Sequence, residues 1–163
     1  MRKAYFLLIL SLLSCSVSNN TINTRTIKFS SAFGNFTMQA PREWTWTDIP
    51  GEPSFDGKIA MSDGDTLQFS LGFWSSLLKG DKLTSWEDLD EYIQAKKYKS
   101  KIDGYDAYVI TPADSSRHIC RLYIDSLYGN GQAITKFDIF GKHLSEANNK
   151  LFFQTVETIK FER

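Results

Sequence analysis

"RHICRLYIDSL", residues 117–127, sets the condition that the rest of the fold must satisfy. Cys120, Leu122 and Ile124 alternate as the apolar side of a strand, yet Ile119 and Tyr123 on the opposite parity are apolar too. A strand that is apolar on both faces belongs in a sheet covered on both. This stretch therefore predicts a central sheet lying between two layers.

The neighbouring segments supply the sheet. "YKSKID" and "YDAYVITPA" meet at Asp103-Gly104, and residues 117–127 run through "YGNG" into "QAITKFDIF". Both junctions are hairpin signals. Upstream, "KIAMS" and "TLQFSLGFW" meet across Asp63-Gly64-Asp65, with Leu67, Phe69, Leu71 and Phe73 on one parity. At the start, "TIKFSS" and "NFTMQAP" flank a Gly-Asn turn signal, and Phe36, Met38 and Ala40 alternate as a half-buried strand. Residues 41–57, "PREWTWTDIPGEPSFDG", carry three of the four prolines and read as irregular, pinned by Trp44 and Trp46.

Two segments change period. "LTSWEDLDEYIQAKKY", residues 83–98, places Trp86, Leu89 and Ile93 on one helical face, and Thr84 with Glu87 forms a capping box. Acids come first in it, and Lys96, Lys97, Lys99 and Lys101 come last, the order that complements a helix dipole. "LSEANNKLFFQTVE", residues 144–157, repeats Leu144, Ala147, Leu151, Phe152 and Val156 at helical spacing, before a last short strand "TIKF". The expected fold is α+β: a single antiparallel sheet of roughly seven or eight strands with helices packed on both faces.

At 163 residues and 42% apolar, the chain is one domain with material for a core of its own. Basic and acidic residues balance at 19 each, which gives no footprint for nucleic acid. Two cysteines make no disulfide framework, so packing must hold the fold.

The amino terminus carries its own signal. Met1 to Lys3 are a short basic region and Ala4 to Leu13 an apolar run, long enough for an export signal and too short to span a bilayer. Leu12-Leu13-Ser14-Cys15 resembles the lipobox of bacterial lipoproteins. That resemblance implies removal of residues 1–14 and acylation of Cys15, which several acyl chains would anchor durably in a membrane. Loss of Arg2 and Lys3 would leave 17 basic residues against 19 acidic ones. Residues 16–25, "SVSNNTINTR", are small and polar and read with Cys15 as a tether, averaging about 17 Å end to end as a coil. The folded domain is expected over residues 26–163. Ser16 stands where enteric lipoproteins retained in the inner membrane carry aspartate, which favours the outer membrane.

The hairpin ending "FTMQAPREW", the pair "YKSKIDGYDAYVIT", the strand "AITKFDIF" and the terminal "ETIKFER" resemble the PsbP-like family. That family includes the photosystem accessory subunit PsbP, the Mog proteins and DcrB-type envelope lipoproteins. Pro41 and Trp44 match its P-x-x-W hallmark. The resemblance implies an α/β/α sandwich and a role in binding or assembly, with no catalytic residue set to carry over.

The residues agree that catalysis is not the expectation. There is no phosphate loop, no H-E-x-x-H, no C-x-x-C and no G-x-S-x-G. "SDGD" at 62–65 lacks the further ligands of a calcium loop and reads as a turn. His118 shares the parity of Cys120, but neighbours two apart on a strand stand about 7 Å apart, too far for a thiol–imidazole pair. Cys120 reads as a small buried residue, and His143 as a surface one. No metal or cofactor is expected. The candidate binding residues are the aromatic Trp46, in the proline-rich segment, and Trp74, which opposes the apolar parity of its strand. The expected function is a membrane-anchored, non-catalytic binding or assembly factor of the bacterial cell envelope, working on an envelope protein through a loop or sheet edge. The alternative is a carrier or sensor of a small apolar ligand held between sheet and helix.

Overall fold

A computed structural model describes residues 23–49, 54–73, 96–111, 119–129 and 134–162. Within them the expected strands form, but in two sheets rather than one. Strands β1 (Thr24–Ser31), β2 (Gly34–Pro41) and β10 (Lys160–Glu162) make a three-stranded sheet in the order β1-β2-β10. Strands β3 (Thr45–Ile49), β4 (Ser54–Ala60), β5 (Thr66–Gly72), β6 (Lys96–Ile102), β7 (Tyr105–Thr111), β8 (Ile119–Gly129) and β9 (Ile134–Lys142) make a seven-stranded sheet in the order β3-β4-β5-β9-β8-β7-β6. Every pairing is antiparallel. One helix, α1 (Glu146–Val156), stands among the described residues, and no described helix is long and apolar enough to cross a membrane.

The expected single sheet with helices on both faces is therefore corrected to a small sheet and one helix laid on the same face of a large sheet. The reason is visible in the aromatic contacts. Phe29 of β1 meets Trp46 of β3 and Phe69 of β5. Phe36 of β2 meets Phe69 and Phe137 of β9. Phe161 of β10 meets Phe137 and Tyr105 of β7. The two sheets thus step across one another in the same order, β1 over β3 and β5, β10 over β9 and β7. Phe36, Leu67, Leu71, Phe137 and Ile139 are fully buried at this interface, and each such side chain contributes about 1.5–3 kcal/mol. The aromatic side of β2 fills the place where a helix layer was expected.

Residues 117–127 keep their condition in part. Cys120, Leu122 and Ile124 face the small sheet and helix, and Ile119, Arg121 and Tyr123 on the other parity are buried as well. On the side of Cys120, Leu122 and Ile124 the cover is the small sheet together with α1, not a layer of helices.

Local signals held where the chemistry is local. The Asp103-Gly104 turn joins β6 to β7 with φ of 50° and 86°, both left-handed, as a two-residue hairpin demands. Asp103 also ties this turn to β10: its carboxylate accepts the Phe161 amide and the Lys160 ammonium, both at 2.9 Å. The Phe161 amide bond is the main reason that its pKa is lowered. The "SDGD" turn caps α1. Asp65 accepts the Ser145 amide at 2.8 Å, Asp63 accepts the Ser145 hydroxyl at 3.0 Å, and both accept the buried Asn148 side-chain amide. Burial works against the Asp63 charge, but the bonds from Ser145 and Asn148 together hold its pKa below the ordinary value.

Two further expectations are corrected. Residues 41–57 are not irregular throughout: β3 and the start of β4 lie within them, and none of the three prolines falls among the paired residues of either strand; residues 50–53 lie outside the described residues. Lys96, Lys97, Lys99 and Lys101 do not close a helix; they belong to β6 and pair with β7. The remainder of the expected helix, residues 83–95, lies outside the described residues.

Candidate functional site

Among the described residues the seven-stranded sheet is open and ends in two edges, β3 and β6. An edge strand presents backbone donors and acceptors that can template another strand. On β3, "TWTDI", all five residues are exposed, including Trp46 at 37% and Ile49 at 42%. Asp48 is its only charge. On β6, "KKYKSKI", Lys96, Lys99 and Lys101 are exposed beside the exposed aromatic Tyr98. Edge lysines are a standard defence against unwanted pairing, because a docking strand would have to strip water from them.

The rim around β3 is assembled from both sheets. Trp46 and Asp48 share a parity that faces the small sheet, and β1 is the outer strand of that sheet on the same side. The Phe29 ring stands edge-on to Trp46 at 5.9 Å, and the Arg25 guanidinium lies over the Trp46 ring at 5.2 Å. One Arg25 terminal nitrogen donates to the Trp44 carbonyl at 2.6 Å. Its Nε is shielded from solvent and bonds to no protein atom, and the same is true of Trp44 Nε1 beneath it in the core. No carboxylate stands within ion-pair distance of Arg25 among the described residues. Arg25 is thus a cation fixed by a carbonyl and an aromatic face, with donor capacity left over, beside an open strand edge.

The other polar groups are engaged structurally. Arg121 and Asp138 form a buried side-on pair on the second face of the large sheet, Nε to carboxylate at 2.6 Å, with the guanidinium 5.0 Å over Phe140. Burial pushes the Asp138 carboxyl up and Arg121 pulls it back. Tyr123 donates to Asp125 at 2.8 Å, and Lys136 meets the same carboxylate at 3.3 Å. Cys120 donates to Asn149 of α1 at 2.8 Å, and burial pushes its thiol up to about 12, so it stays protonated and is a poor nucleophile. A half-open pocket of about 310 Å³ is lined by Asp65, Thr66, Gln68, Phe140, Lys142 and His143. Its Asp65 is already spent on the α1 cap. Among the described residues no group of three or more His, Cys, Asp or Glu side chains is placed to hold a metal.

Of the residues singled out in the sequence, Trp46 sits at this rim, on a strand and not in a loop. Cys15, Trp74 and His118 lie outside the described residues. His143 is exposed at a left-handed position, φ 55°, and lines the pocket. Arg25 was missed, having been assigned to the tether. Thr24 and Arg25 already belong to β1, and the signal was available: Arg25 stands on the parity of Ile27 and Phe29. The large sheet is closely packed at Gly141, where an added Cβ would meet Leu144 and Leu67 at 2.8 Å. Comparison with protein-family models, curated proteins and solved structures returned no match.

Proposed function

We propose that this protein is a non-catalytic binding or assembly module of a bacterial envelope, held at a membrane through acylated Cys15, that takes an extended segment of an envelope protein onto the outer edge of β3. The observation that carries the proposal is the contrast between the edges: β3 offers an exposed tryptophan and isoleucine and no lysine, whereas β6 is shielded by the exposed Lys96, Lys99 and Lys101. Strand addition to an open edge draws affinity from backbone bonds and specificity from alternate side chains. The chain path suits an anchored module. The Asn23 carbonyl accepts the Arg42 amide at 3.1 Å, which brings the entry to β1 beside the turn that leads into β3. An anchor preceding Asn23 would therefore hold this edge close to the membrane surface.

The test has two arms. Cys15→Ala is expected to release the full-length protein from the membrane fraction, and continued membrane retention would remove the anchor. In intact cells, a photoreactive residue at Ile49 is expected to capture one recurring envelope protein, and capture at background level would remove the docking edge.

A further inference from the structure

Resting on that assignment of β3, we propose the chemistry of the segment it takes: an antiparallel strand that carries an acidic side chain opposite Trp46 and, two residues earlier, a basic one opposite Asp48. The placement follows from the rim. Directly opposed residues on paired strands put their side chains on the same face about 5 Å apart. A residue opposite Trp46 would therefore project towards the Arg25 guanidinium that lies over the Trp46 ring. That guanidinium has no carboxylate partner among the described residues, and its terminal nitrogens carry donors beyond the one given to the Trp44 carbonyl. A carboxylate can take two parallel bonds from a guanidinium, and such charge-assisted bonds are roughly twice as strong as neutral ones. Holding the fork beforehand, by the Trp44 carbonyl and the Trp46 ring, lowers the ordering cost of the contact.

Asp48 supplies the second half of the rule. It is exposed, shares the face of Trp46 about 7 Å further along β3, and makes no ion pair among the described residues. An acid opposite it would be repelled and a base attracted. Every pairing in the seven-stranded sheet is antiparallel, so a strand continuing it meets Asp48 before Trp46. Read along the docking segment, the order is base, any residue, acid.

Three seven-residue alternating peptides test this against the full-length chain by calorimetry. One has lysine third and glutamate fifth, one has the two exchanged, and one has lysine third and glutamine fifth. The lysine-then-glutamate peptide is expected to bind about tenfold more tightly than either control. Arg25→Gln is expected to erase that preference and Arg25→Lys to retain part of it, with thermal melting showing each variant folded. Equal binding of all three peptides to the unmodified protein would overturn the acidic rule while leaving docking on β3 in place. A preference that survives Arg25→Gln would also overturn it. If none of the three binds, the rule and the β3 assignment fall together.

Discussion

The two outer strands of the seven-stranded sheet, β3 and β6, offer the same backbone groups and opposite side chains. On β6, Lys101 pairs with Asp106 at 2.6 Å and Lys99 lies over the Tyr108 ring at 5.6 Å, both partners on β7. These charges are exposed and screened by solvent, and they contribute little stability. Their effect lies in what they prevent. β3 has no such guard, and its aromatic is instead built into the rim where the two sheets meet. Edge protection is thus a matter of side-chain choice at fixed backbone geometry, and it has been made on one side of this sheet only.

The contrast breaks most completely if β3 is given the character of β6. Replacing Trp46 and Ile49 by lysine is expected to reduce capture of the envelope partner more than tenfold, read by pull-down from crosslinked membranes. Trp46 also packs on Phe29, so the melting temperature should fall with the fold retained, as circular dichroism would report; unchanged capture would show that the side chains of β3 do not govern docking. A structural blow to β3 comes next. Gly57 lies under the Phe69 ring, where an added Cβ would stand 2.2 Å from the ring and 3.0 Å from the Thr47 carbonyl on β3. Gly57→Val is expected to cost about 1–3 kcal/mol in chemical denaturation, and to loosen β3 against β4 before β6 is affected, as hydrogen exchange would report.

The reverse exchange is milder. Lys99→Thr with Lys101→Thr removes part of the guard and is expected to add concentration-dependent self-association in sedimentation, with stability changed by less than about 1 kcal/mol. The smallest effect is pH-dependent and falls on the β6 side. Asp103, in the β6–β7 turn, has its pKa lowered in the folded state, so its stabilisation is present above the ordinary aspartate value of 3.8 and is lost as pH falls through the lowered one. Asp103→Asn should flatten that part of the acid limb of the stability curve. Because hydrogen bonds to the Lys160 ammonium and Phe161 amide are involved, the mutant should also be slightly less stable at neutral pH.

The same contrast explains what the sequence revealed. Hairpins at Gly34, Asp63-Gly64 and Asp103-Gly104 were legible because turn chemistry and period-two alternation are local. The division into two sheets was not, because alternation says that a residue is in a strand and never which strand lies beside it. The terminal strand β10 joins β2, far away in the chain, and it is the packing of Phe29, Phe36 and Phe161 on Phe69 and Phe137 of the large sheet that decides it. β3 was hidden by its flanking prolines. The lysines of β6 were taken for a helix end because acids precede them, a pattern that fits a dipole as well as it fits a guarded edge. At the rim, Trp46 was found by its type, while Arg25, a single charge in a polar run, was passed over although it kept step with Ile27 and Phe29.

The most direct measurement compares the edges in one experiment. A photoreactive residue is placed at Ile49 of β3 or at Tyr98 of β6 in the full-length, membrane-held protein, the two positions being similarly exposed at 42% and 50%. Irradiation should give a discrete crosslinked envelope protein from position 49 and none from position 98. Equal adducts from both positions, or an adduct from position 98 alone, would contradict the assignment of β3 as the docking edge.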